Sequence, residues 1–125
     1  MAINIPQSEL DALARDFQLM WGNFPEPAQL THKSREIIAL NAASESVGLV
    51  KGGKCSECGA PEMHKGCLAN RALNTQQPLF QKTKFGDRDR ISYWLPVNGY
   101  PELFVHFGVG TIIDYNEAAE QIPGK

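Results

Sequence analysis

Long apolar runs, an excess of basic charge and enough cysteine for a disulfide scaffold are all missing from this 125-residue sequence. No stretch of about 18 apolar residues occurs, so nothing reads as a membrane-spanning helix. Twelve Lys and Arg stand against fourteen Asp and Glu, a net charge of -2. Nothing in that balance draws the chain toward a phosphate backbone or an anionic bilayer, and neither nucleic acid nor membrane is an expected partner. The opening Met1-Ala2-Ile3-Asn4-Ile5-Pro6-Gln7 lacks a basic start followed by an apolar h-region, which makes the cytoplasm the expected location. Three cysteines, an odd number gathered between Cys55 and Cys67, argue against a secreted framework and fit a reducing compartment. A Gly-rich phosphate loop, a Ser-His-Asp set and paired catalytic carboxylates are missing too. Asp87 and Asp89 fall in a turn, where solvated charge is expected. The chain is therefore not expected to be an enzyme.

What is present is an ordinary globular composition, 42% hydrophobic and 21% charged, on a chain long enough for one core and too short for two domains. Leu10, Leu13, Ala14, Phe17 and Met20 recur at helical spacing behind a Ser8/Asp11 capping signal, which predicts an amphipathic helix over residues 9–21. Gly22, Pro25 and Pro27 end it. Residues 28–32 and 36–40 then read as a hairpin, and Asn41 as the N-cap of a short helix. A Gly/Pro/Cys-rich loop over residues 52–66 leads into a helix over 67–73. Residues 79–84 and 88–95 read as strands, with the charged row Arg88, Arg90 and Ser92 expected to face outward. Asn98-Gly99 closes a hairpin to a long last strand over residues 103–113, in which Gly108 and Gly110 mark a bulge or a close backbone approach. A polar helix is expected to begin at Asn116. Strands grouped around a helical middle predict an α+β fold, an antiparallel sheet of about five strands with helices on one face and the N-terminal amphipathic helix in addition.

At Ile37-Ile38-Ala39-Leu40-Asn41-Ala42-Ala43-Ser44, a strand running into an Asn-capped helix, and at Gly108-Val109-Gly110-Thr111-Ile112-Ile113-Asp114, the chain resembles the PAS family of sensor domains. The segment from Gly52-Gly53-Lys54-Cys55 through Gly66-Cys67-Leu68-Ala69 is similar to a subset of bacterial PAS domains that carry a Cys-rich stretch before their long helix. The ending departs from the pattern, since Asp114-Tyr115-Asn116 stands where Asp-Ile-Thr is common. The resemblance implies three parts: an N-terminal helix and linker over residues 1–23, a PAS-like domain over 24–116 and a tail over 117–125. It implies a signal-sensing or protein-interaction module without catalysis of its own. A ligand would lie between the inner face of the sheet and the helices, for which Tyr93, Phe104, Phe107 and Leu73 are the candidates. Flanking helices of such modules pair, so Leu10, Leu13, Phe17 and Met20 become a candidate homodimer interface, with folding back onto the sheet as the alternative; a downstream signalling protein is a further partner.

Cys55, Cys58, His64 and Cys67 offer three thiolates and an imidazole, the ligand type and number that tetrahedral zinc takes. They are the candidate metal ligands, and a small zinc-binding or thiol redox protein is the alternative function. A purely structural role for Cys67 and a redox pair at Cys55 and Cys58 stay open beside zinc. His106 and His32 read as packing or surface residues.

Overall fold

The computed structural model describes residues 3–54 and 67–117. Helix α1 runs Gln7–Trp21. Pro6 starts it: its carbonyl accepts from the N–H groups of Glu9 and Leu10, both at 3.0 Å, and its ring fixes φ at -55°. A proline just ahead of the first turn sacrifices no helical hydrogen bond. Ser8 therefore lies inside the first turn and does not cap it. Leu10 and Phe17 are buried, in one cluster with Ala28, Leu30, Ile38, Ala39 and Leu103, while Gln18 Nε2 donates to the Leu40 carbonyl at 2.7 Å. Leu10 and Phe17 of the apolar stripe of α1 are thus covered by the chain's own sheet.

Five strands form one antiparallel sheet in the order β2-β1-β5-β4-β3: β1 Ala28–His32, β2 Ile37–Leu40, β3 Leu79–Phe85, β4 Arg88–Val97 and β5 Tyr100–Val109. Between β2 and β3 lie α2, Ala42–Ser46, and α3, Ala69–Thr75. As the sequence predicts, Asn41 caps α2, with Oδ1 accepting from the Ser44 N–H at 3.0 Å. Side chains alternate across a strand, and β5 supplies a core on each face. Leu103, Val105 and Phe107 pack with α1, whereas Phe104 packs with Trp94 and with Ala69 and Ala72 of α3. The helices are therefore divided: α3 covers one face and α1 the other.

The last strand differs from expectation at both ends. It begins at Tyr100, because Val97 pairs with Tyr100 across the Asn98-Gly99 turn, and it stops at Val109 instead of reaching Ile113. Gly110 causes the stop. Its φ of +97° turns the chain away, and a Cβ there would sit 2.4 Å from the Asp89 carbonyl oxygen. Gly110→Ala is expected to lower stability by about 1–3 kcal/mol, through left-handed strain and collision together. Urea unfolding measures this, and an unchanged midpoint would show that the exit bends freely.

Candidate functional site

Directly paired residues share a face, so the pairings locate every side chain on the α3 side of the sheet. Thr31 pairs with Phe104 and Gln29 with His106. His106 in turn pairs with Trp94, and their rings stack with centroids 4.8 Å apart. Stepping by two along β4 from Trp94 adds Ser92 and Arg90; their β3 partners are Gln81 and Thr83. The α3 side is therefore apolar around Trp94, Phe104, Leu73 and Leu79 and at Leu40, Ile37 and Pro96, which pair with Gln29, Thr31 and Phe104, and polar across Gln29, Thr31, Gln81, Thr83, Arg90, Ser92 and His106. The charged row of β4 that the sequence pattern points outward shares this face with the buried Trp94. The reason is that Ile91, Tyr93 and Leu95 face the α1 side, where Tyr93 stacks on Phe107 at 4.8 Å.

Polar groups in such a place must be satisfied or they destabilise the fold, each by roughly 1–3 kcal/mol. Thr31 is 0% and Gln29 3% exposed, yet Thr31 Oγ1 and Gln29 Oε1 have no hydrogen-bond partner among the described residues, and neither has Thr83 Oγ1. Residues i and i+2 of one strand stand about 7 Å apart. Gln29 and Thr31 thus present an acceptor and a hydroxyl side by side. His106 donates from Nδ1 to the Tyr93 carbonyl at 2.9 Å.

The four expected ligand-binding residues do not come together. Phe104 and Leu73 lie on the α3 side, while Tyr93 and Phe107 lie on the α1 side in a ladder that continues to Trp21 and Phe24, 4.9 and 5.6 Å from Phe107. Phe104 and Phe107 are an odd number of positions apart on one strand, a signal that separates them without any structure. Of the expected interface residues, Leu10 and Phe17 are buried against the sheet, Leu13 is partly buried there, and Met20 is 77% exposed. Cys55, Cys58 and His64 lie outside the described residues; Cys67 is an exposed free thiol ahead of α3. Among the described residues no three His, Cys, Asp or Glu side chains are grouped to hold a metal ion.

One constellation escaped sequence reasoning because its members are 70 residues apart. Buried His32 has Nδ1 2.9 Å from Ser34 Oγ and Nε2 3.2 Å from Glu102 Oε1, and Lys33 Nζ lies 2.7 Å from Glu102 Oε2. The order Ser-His-Glu has the outline of a nucleophile with its base and orienting group. Its wiring is different. The Ser34 backbone N–H donates to Nδ1 at 3.1 Å and takes up the lone pair a general base needs, so the set locks the β1–β2 turn to β5. The Lys33 ammonium and then the His32 ring hold the Glu102 carboxyl below its ordinary range. That contribution is present above the unfolded-state value and is lost as pH falls through the lowered one.

This arrangement of strands and helices is the PAS fold. A sensory box sensor histidine kinase from Vibrio cholerae superposes with a TM-score of 0.56 at 11% identity, covering 86% of this chain and 97% of that one. The PAS domain of histidine kinase ThkA gives 0.53 at 21% identity over 66% of this chain and 97% of that one. The PAS domain of Bordetella pertussis BvgS gives 0.56 at 23%, over 78% and 83%. No family model and no curated protein matches the sequence. Among the described residues no helix is long and apolar enough to cross a membrane.

Proposed function

We propose that the chain is a signal-sensing PAS-like module whose ligand is a small polar molecule held on the α3 side of the sheet by Gln29 and Thr31. The observation that carries this reading is the pair of fully buried polar atoms on β1 that have no hydrogen-bond partner among the described residues. A fold that keeps such atoms loses stability by them unless something supplies the missing hydrogen bonds. Since Gln29 Oε1 only accepts, the ligand contributes at least one donor, an amide or hydroxyl group for example. The partners within this reading are a downstream signalling protein or a second copy of the chain.

The test is Thr31→Val, which replaces the hydroxyl by a methyl of similar shape. Without ligand the variant is expected to be as stable as the parent or more so, by up to about 1 kcal/mol, because an unsatisfied group has been removed. In a thermal-shift screen of small amides and polyols, compounds that stabilise the parent are expected to lose their effect on the variant. Amide chemical-shift changes on binding should centre on Gln29, Thr31, Ser92 and His106. A Thr31→Val protein that is clearly less stable without ligand, or that keeps every thermal shift, would remove the basis of this reading.

A further inference from the structure

Glu26 lies in the linker between α1 and β1, two residues ahead of the strand, and its side chain is fully buried. Oε2 accepts from the backbone N–H groups of Gly110 at 2.7 Å and Ile113 at 3.3 Å, and Oε1 accepts from that of Ile112 at 2.7 Å. From the other side Arg88 of β4 donates, through Nε to the Gly110 carbonyl at 2.7 Å and through Nη2 to the Thr111 carbonyl. Residues 110–113 follow the end of β5 and belong to no strand of the sheet. Their backbone is held between one carboxylate, which gathers three donors, and one guanidinium, which gathers two acceptors. Tyr115 reaches the same carboxylate: burial first, and then the charge and hydrogen bond of Glu26, hold its hydroxyl above the ordinary phenol range.

We propose that Glu26 and Arg88 form a two-sided latch on the exit of the chain from its sheet, and that residues 110–113 release as one unit while the sheet stays folded. Hydrogen bonds to an ionised group are about twice as strong as neutral ones and depend sharply on geometry. Because one carboxylate serves Gly110, Ile112 and Ile113, its displacement frees all three amides together. Glu26 also stands three residues before Gln29 and five before Thr31, both of which lie on β1. A shift of β1 therefore moves the carboxylate, and the segment beyond β5 feels the state of the α3-side face. This relay role rests on the sensing reading, whereas the latch itself requires no ligand.

Residue-resolved amide hydrogen exchange on the full 125-residue chain, without ligand and at several low urea concentrations, tests the latch. Gly110, Ile112 and Ile113 are expected to be protected, to share one opening rate about tenfold or more above that of Leu103, Phe104 and Val105, and to depend little on urea, the signature of local opening. Glu26→Gln, which turns an N–H donor toward one of the bound amides, is expected to speed the three exit amides by about another tenfold. Arg88→Gln should act on the same amides, with Leu103, Phe104 and Val105 held within about threefold in both variants. Unprotected exit amides, exit amides that share the rate and urea dependence of the β5 core, or variants that speed core and exit equally would each overturn the latch. The parent measurement decides even where a variant does not fold. The ligand-free exchange and the thermal shifts of Thr31→Val are independent, so failure of the latch and failure of the sensing reading are told apart.

Discussion

Replacing Asn41 with alanine is expected to destabilise the domain by about 3–5 kcal/mol, a large share of the stability of a chain this size. The amide is completely buried and uses both ends. Oδ1 accepts from the N–H groups of Ser44 and Ala28, each at 3.0 Å. Nδ2 donates to the carbonyls of Glu26 at 2.9 Å and Phe24 at 3.0 Å and lies 3.4 Å from that of Trp21. One side chain thereby ties the end of α1, the linker, the start of β1 and the start of α2. Losing the helix cap alone costs about 1 kcal/mol, and each further buried backbone group left without a partner adds about 1–3 kcal/mol, discounted for water that enters the gap. Urea unfolding should show the midpoint lowered by roughly 1–3 M, given typical slopes. Asn41→Asp keeps the acceptor and loses the donors, and should also be destabilising. A loss below about 1 kcal/mol for the alanine variant would mean that the linker carbonyls find other donors.

The double replacement of Leu13 and Phe17 by glutamate is expected to abolish the cooperative unfolding transition, leaving no folded monomer to observe. Phe17 is 4% exposed, and truncating a buried phenylalanine costs about 3–5 kcal/mol before a carboxylate is forced into the same space. Circular dichroism with sedimentation velocity separates the possibilities. An unfolded chain places α1 in the domain's own core, while a folded monomer derived from a parent dimer would make the stripe an interface between copies. Met20→Glu is the control on the same helix; at 77% exposure it should change stability by less than about 0.5 kcal/mol.

Much of the architecture is legible because it is local. The Asn41 cap, the Asn98-Gly99 turn and the helical spacing of Leu10, Leu13 and Phe17 are written within a few residues of where they act, and β1 to β4 fall close to their expected bounds. The misjudged features depend on residues far apart in the chain. The sequence pattern points Arg88, Arg90 and Ser92 outward because alternation identifies two faces but not which one is covered, and here helices cover both. Glu26 reads as one more polar residue in a proline-rich break until the exit segment, 84 to 87 residues later, arrives with its donors. Gln29 and Thr31 look like the solvated side of an edge strand. They become a candidate site only because β1 lies between β2 and β5, with Phe104 and His106 alongside.

That placement of β1 has a consequence for how the protein is made. Ala28 of the first strand pairs with Phe107 of the last, and the whole of β1 takes one of its two neighbours from β5. During synthesis the β1–β2 hairpin leaves the ribosome with the outer edge of β1 unpaired, and the partner for that edge is among the last residues of the sheet to be translated. Until Tyr100–Val109 has emerged, the hairpin has no strand to lean on and the stripe of α1 has no Leu103 to cover. Completing the sheet therefore joins its first strand to its last, and loop-closure entropy is expected to make that step slow.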